Sequence, residues 1–68
     1  MHTLRVVIDD RSYTARIEGG VHATLSAFQD KIRRGTVDRL RLTDGQEILV
    51  NWGSVTTVRV RGADEDDD

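Results

Sequence analysis

The spacing of apolar residues changes twice along this 68-residue chain, and these changes constrain the fold more than any other feature. Residues 3–9 and 13–18 alternate between apolar and polar side chains, which is typical of strands with one buried face. After Gly19 and Gly20 the apolar residues recur at helical intervals. From Val37 the alternation returns. The pattern therefore predicts two strands, one helix and three further strands.

The first two strands are predicted to form an antiparallel hairpin. A turn over Asp10 and Arg11 places the apolar residues of both strands on one face. The pairs in this register are Ile8 with Tyr13, Val6 with Ala15, and Leu4 with Ile17. A loop over residues 9–12 keeps the same pairs, so the loop length stays open. Either loop places Arg5 opposite Arg16.

The helix is predicted to run from about Val21 to Arg34. Its apolar stripe consists of Val21, Leu25, Phe28 and Ile32. Gly35 follows at the position where a left-handed residue commonly ends a helix. The N-terminus is less well defined, because the nearby residues Gly20, His22 and Thr24 complete no capping box.

The dipeptide Asp44-Gly45 is the strongest hairpin signal in the chain. A two-residue turn there would mix apolar and polar side chains on each face. A three-residue loop with Gly45 in a left-handed bulge pairs Arg41 with Glu47 and separates the faces. The apolar face then contains Leu40, Leu42, Ile48, Val50 and Trp52. We therefore predict the bulged loop.

A last strand is predicted over residues 56–61, after a turn at Gly53 and Ser54. The order ββαβββ indicates a small single α+β domain over residues 1–62, with one helix packed on an antiparallel or mixed sheet. An opening hairpin followed by a helix is similar in order to a β-grasp domain. A short barrel-like sheet capped by the helix fits equally well.

The composition excludes several kinds of site. Without Cys the chain has no disulfide, no thiolate zinc site and no thiol nucleophile. His2 and His22 lack metal-binding spacing, no Ser lies in a nucleophile elbow, and no phosphate loop is present. We therefore expect no metal, no cofactor and no enzymatic activity. The longest apolar run is far shorter than the ~20 residues of a membrane helix, so we expect a cytoplasmic protein without membrane contact.

Charge is segregated along the chain, although the net charge is only −2. Five of the twelve acids lie in residues 64–68, so residues 1–63 carry 10 basic and 7 acidic side chains, a net charge of +3. The acidic segment has no large apolar residue, and residues 63–68 are predicted to be a disordered tail. Nine of the ten basic residues are Arg, whose planar fork suits carboxylates and phosphates, although a coding bias towards Arg would give the same count.

Strand alternation places six of the nine Arg residues opposite the apolar face of the proposed sheet. They are Arg5, Arg16, Arg39, Arg41, Arg59 and Arg61. A second basic cluster, with Asp38 as its single acid, spans the junction between the helix and the next strand. It contains Lys31, Arg33, Arg34, Arg39 and Arg41. Either group is a candidate binding surface, and either also fits an ordinary solvated face or a basic helix end.

These observations predict a small interaction or regulatory module that presents its Arg-rich sheet face to a protein partner. A core this small is marginally stable as a monomer, so we also expect self-association, for example by pairing of an edge strand such as residues 56–61. The alternative is a nucleic-acid-associated protein whose basic body is inhibited by its acidic tail. Nucleic acid is not favoured, because Tyr13 and Trp52 both fall on the buried face and cannot stack on bases.

Overall fold

The computed structural model describes residues 2–63 of the chain, and the acids of the predicted tail, residues 64–68, lie outside this range. In chain order the elements are β1 (His2–Ile8), β2 (Arg11–Ile17), α1 (Val21–Arg34), β3 (Val37–Arg41), β4 (Glu47–Asn51), a 3-10 turn (Trp52–Ser54) and β5 (Val58–Gly62). The predicted α+β class and element order are confirmed. Strands β2-β1-β5 form one sheet and β3-β4 a second, and the pairings within both are antiparallel.

The predicted register of the first hairpin is wrong by two residues. The strand pairs are Leu4 with Ala15, Val6 with Tyr13, and Ile8 with Arg11. The turn therefore lies at Asp9 and Asp10, and Asp9 adopts a φ of 56°, which Asp tolerates better than most residues. An even shift leaves the buried face unchanged, because side chains alternate with a period of two. It does move Arg5 opposite Thr14 instead of Arg16.

The helix has the predicted bounds, and its C-terminus is formed as expected. Gly35 adopts the left-handed conformation with φ 68°, and its N–H donates to the carbonyl groups of Lys31 and Ile32. Gly20 is the N-cap residue, and no side chain caps this end. Phe28 of the predicted stripe is buried, and Thr24, outside that stripe, is also buried.

The predicted bulged loop of the second hairpin is confirmed. Gly45 has a φ of 90°, and Arg41 pairs with Glu47. The Leu42 N–H donates to the Gln46 carbonyl at 2.8 Å, which closes the loop. An isolated bridge between Ala15 and Leu42 joins the two sheets at this end.

The core lies between the helix and the inner faces of the two sheets. Its buried cluster consists of Val6, Phe28, Val50 and Trp52, and half-buried aliphatic residues pack around it. The Phe28 and Trp52 rings lie 4.6 Å apart between centroids, a packed aromatic pair. Strand β5 begins two residues later than predicted and ends at Gly62, with Val58 and Val60 turned towards this core. Among the described residues, no helix has the length and apolar character needed to cross a membrane.

Candidate interaction surface

The division into two sheets separates the Arg residues that were predicted to share one face. Arg39 and Arg41 lie on β3, in the two-stranded sheet. The other four lie on the outer face of the three-stranded sheet, and we call them the arginine face: Arg5, Arg16, Arg59 and Arg61. The expectation of six Arg residues on one sheet face is therefore wrong, because the β3-β4 hairpin forms a sheet of its own.

The Arg residues on β3 are compensated by one acid from the neighbouring strand. Arg41 Nη2 lies 2.6 Å from Glu47 Oε2, and Arg39 Nη1 lies 3.5 Å from Glu47 Oε1. The cross-strand pairing of Arg41 with Glu47 holds the carboxylate between the two guanidinium groups. The predicted face on β3 is thus partly neutralised within the chain.

The rest of the second basic cluster is also largely paired. Lys31 forms an ion pair with Asp38, and Arg34 Nε lies 3.1 Å from Asp30 Oδ2 within the helix. Arg33 is exposed and has no ion pair among residues 2–63. This junction therefore carries less uncompensated charge than its sequence indicates.

The two acids in these pairs are shifted towards their ionised forms. Hydrogen bonding from the Lys31 ammonium lowers the pKa of Asp38, helped by the backbone N–H of Arg39 and by the charge of Lys31. Hydrogen bonding from the Arg41 guanidinium lowers the pKa of Glu47, and the charges of Arg41 and Arg39 act in the same direction. Both carboxylates are therefore ionised at neutral pH and paired with cations of this chain.

The arginine face is arranged around Arg5, because β1 is the central strand of its sheet. Arg5 is directly opposite Arg61 on β5, and it is diagonal to Arg59 on the same strand. On the other side Arg5 pairs with Thr14, which makes Arg16 its diagonal neighbour on β2. Side chains directly opposite in a sheet have Cβ atoms about 5 Å apart, so like charges at such positions are unfavourable.

The outer face of this sheet has no acid at any strand position. The other outward residues of β1, β2 and β5 are Thr3, Val7, Ser12 and Thr14. Among residues 2–63, Arg5, Arg16 and Arg59 form no ion pair. The arginine face therefore differs from the β3 cluster in lacking a carboxylate from its own sheet.

A shallow groove of about 590 Å³ borders the arginine face along the outer edge of β5. Its apolar lining comes from Val7 on the outer face, from Val58 and Val60 on β5, and from Leu25 on α1. Arg5, Arg59 and Arg61 line the same groove. The surface thus combines apolar area with guanidinium groups, a mixture common at protein–protein interfaces.

The aromatic residues of the chain do not contribute to this surface. Trp52 is 2% exposed and Phe28 is 5% exposed, both in the core. Tyr13 is half-buried and has the parity of the inner face of β2, since it pairs with Val6. The arginine face therefore has no aromatic side chain on which a base could stack.

A smaller cavity of about 220 Å³ lies between α1, the end of β2 and the start of β3. Two buried polar atoms on its lining residues, Thr24 Oγ1 and Trp52 Nε1, have no hydrogen-bond partner within the described part of the protein. Ligand pockets in proteins are usually about 300–1,000 Å³, so this cavity is small for a ligand site. Thr24 lies three residues after Val21 and four before Phe28, on the same face of the helix, but the apolar spacing did not reveal it because its side chain is polar.

Metal-binding side chains are not clustered in the described range. Residues 2–63 contain no group of three or more His, Asp or Glu side chains that could hold a metal ion.

The chain matches no protein-family model, no curated protein and no solved structure.

Proposed function

We propose that this protein is a small non-enzymatic interaction module that binds an acidic segment of a protein partner through its arginine face. One contrast carries the proposal. Glu47 lies between Arg39 and Arg41, whereas Arg5 and Arg59 have no acid in their sheet. Carboxylates from a partner would supply the missing compensation, and Arg accepts a carboxylate through two parallel hydrogen bonds.

The spacing of the arginine face supports an extended acidic segment as the ligand. Arg5 and Arg59 are diagonal neighbours on the same side of the sheet, so their stems lie about 7 Å apart. Carboxylates on every second residue of an extended peptide have the same repeat. The apolar groove beside β5 gives the intervening side chains a surface to contact. This combination favours a peptide over a phosphate backbone.

The nucleic-acid alternative has weaker support from the same surface. Phosphates would also neutralise these guanidinium groups, and such binding needs no base contacts. However, four basic residues outside the arginine face already form ion pairs with acids of the chain: Lys31, Arg34, Arg39 and Arg41. The uncompensated basic surface is therefore smaller than the sequence indicates. The face also lacks the stacking side chains of single-strand binders.

The test compares two labelled probes by fluorescence anisotropy at low and near-physiological salt. One probe is a ten-residue peptide in which Glu alternates with Thr, and the other is a mixed-sequence DNA duplex. We expect the peptide to bind more tightly at near-physiological salt. The double variant Arg5→Gln with Arg59→Gln should weaken peptide binding about tenfold or more, through the loss of charge-assisted hydrogen bonds.

The matched control removes the same charge from the compensated cluster, by combining Arg39→Gln with Arg41→Gln. This control should change peptide affinity less than twofold. Equal losses in the two double variants would contradict the assignment to the arginine face. Tighter binding of the duplex, with a steep dependence on salt, would favour the nucleic-acid alternative.

A variant of the chain with amides in place of the five acids at residues 64–68 tests whether the tail competes with the peptide for the arginine face.

A further inference from the structure

Two large apolar side chains are exposed on the outer face of the two-stranded sheet. Leu49 on β4 is 71% exposed and Val37 on β3 is 62% exposed. Val37 pairs with Asn51, so Leu49 is its diagonal neighbour across the hairpin. The two side chains thus form an apolar patch on strands that do not contribute to the arginine face.

The patch lies next to an open strand edge. Within residues 2–63, β4 pairs only with β3. The Leu42 N–H donates to the Gln46 carbonyl, and the Trp52 N–H donates to the Thr36 carbonyl. Hydrogen-bonded and non-hydrogen-bonded pairs alternate along an antiparallel ladder, so these two bonds establish the phase, that is, which residues of β4 are bonded to β3. In this phase the backbone N–H and C=O groups of Glu47 and Leu49 point away from β3. They are available to a further strand.

The other open edge, on β5, is poorly suited to a second copy of the chain. The ladder to β1 leaves the backbone groups of Val58 and Val60 pointing outwards, since Arg59 and Arg61 are the residues bonded to β1. Symmetric antiparallel pairing centred on Val60 would place Arg59 opposite Arg61 of the partner subunit. Moving the two-fold axis by one residue, to Arg59 or Arg61, places that Arg opposite its own copy in the partner subunit, which is also unfavourable.

Symmetric pairing of β4 has no such conflict. With Leu49 at the two-fold axis, Leu49 lies opposite Leu49 of the partner subunit and Glu47 lies opposite Asn51 of the partner subunit. No like charges face each other in this ladder, and each Glu47 keeps its own two Arg residues. We propose that two copies of the chain associate through the β4 edge in this register, which forms a continuous four-stranded sheet β3-β4-β4-β3.

The inner side of the β4 edge also suits a second copy. A shallow groove of about 190 Å³ beneath this edge has a mixed lining, with Ile8, Ile48 and Val55 beside the polar residues Asp9, Asn51 and Ser54. In the register centred on Leu49, Ile48 of the partner subunit pairs with Val50 and faces the groove side. The sequence-based hypothesis named residues 56–61 as the pairing edge, and the charge arrangement favours β4 instead.

The test measures molar mass by light scattering for the full chain, from low micromolar to several hundred micromolar. The chain has a mass of 7.7 kDa, and we expect the measured mass to rise towards twice that value with concentration. Leu49→Lys places two cations together at the axis and should weaken dimerisation at least tenfold. Because Leu49 is exposed in the monomer, the variant should keep the thermal unfolding midpoint of the dilute wild-type protein.

The matched control is Arg59→Thr on β5, which removes like charge from the other edge and should leave the dimerisation constant within twofold. A mass near 7.7 kDa at every concentration would overturn the proposal. So would a dimer that survives Leu49→Lys or becomes markedly tighter with Arg59→Thr. This interface is independent of the proposed function, because peptide binding to the arginine face is measured on a different sheet.

Discussion

Asp9 and Thr57 are joined by a reciprocal pair of hydrogen bonds, although they lie 48 residues apart. The Asp9 N–H donates to the Thr57 carbonyl at 2.8 Å, and Asp9 Oδ1 accepts from the Thr57 N–H at 3.0 Å. The same oxygen accepts from the Thr56 N–H at 3.0 Å. A residue in the first turn therefore orders the segment that enters β5, next to the arginine face.

We predict that Asp9→Ala destabilises the protein by about 2 kcal/mol or more. Two hydrogen bonds to a charged acceptor are lost, and Ala must adopt the left-handed conformation that Asp9 occupies at φ 56°. Urea unfolding followed by Trp52 fluorescence measures the change. Asp9→Asn keeps an oxygen acceptor and tolerates this φ, so it should lose less than half as much stability as Asp9→Ala. Equal stability of all three proteins would show that the contact contributes little.

Removal of a charge from the arginine face should stabilise the protein. Arg5 has Arg61 directly opposite and Arg59 diagonal, so Arg5→Gln is expected to raise the free energy of unfolding by about 0.5 kcal/mol at low salt. High salt should abolish the gain by screening. Arg41→Gln is the control, and it should lower the free energy of unfolding, because it breaks the contact with Glu47. A salt-independent effect of Arg5→Gln would point to packing of its stem instead.

The buried hydroxyl of Thr24 should be dispensable for stability. Thr24 is 3% exposed and its Oγ1 has no hydrogen-bond partner within the described residues. Thr24→Val keeps the shape and removes the hydroxyl, so we expect a gain of about 1 kcal/mol in urea unfolding. Thr24→Ser keeps the hydroxyl and loses a buried methyl group, and should cost about 1 kcal/mol. A loss of stability in Thr24→Val would reveal a hydrogen bond made by the hydroxyl.

The ion pair of Glu47 should make stability depend on pH in the acidic range. The Arg41 contact lowers the pKa of Glu47 below its ordinary value of 4.5 in the folded state. A lowered pKa contributes stability above the unfolded-state value, and this contribution is lost as pH falls through the folded-state value. The difference in urea midpoint between wild type and Glu47→Gln should therefore be constant from pH 7 to about 5 and shrink below 4.5. A difference that grows on acidification would contradict this sign.

Features with a local cause were predictable from the amino-acid sequence. The switch in apolar spacing indicated the helix bounds, and Gly35 ended it because a left-handed residue satisfies the last carbonyls. Gly45 determined the bulged loop, because only the three-residue loop keeps apolar and charged residues on opposite faces of the second hairpin. The outward parity of Arg5 and Arg59 was also predictable, since strand alternation alone decides it.

The remaining features depended on contacts between distant residues. A two-residue shift of the first hairpin preserves every face, so alternation could not choose the register. In the folded protein the turn lies where Asp9 reaches Thr56 and Thr57. Likewise, the β3-β4 hairpin forms a sheet of its own, which separates Arg39 and Arg41 from the other strand Arg residues and leaves the outer face of the three-stranded sheet without an acid. The sequence by itself thus determined which side chains point outwards and that Arg41 faces Glu47. The tertiary structure decided which Arg residues share a sheet, because strand order is set by long-range pairing.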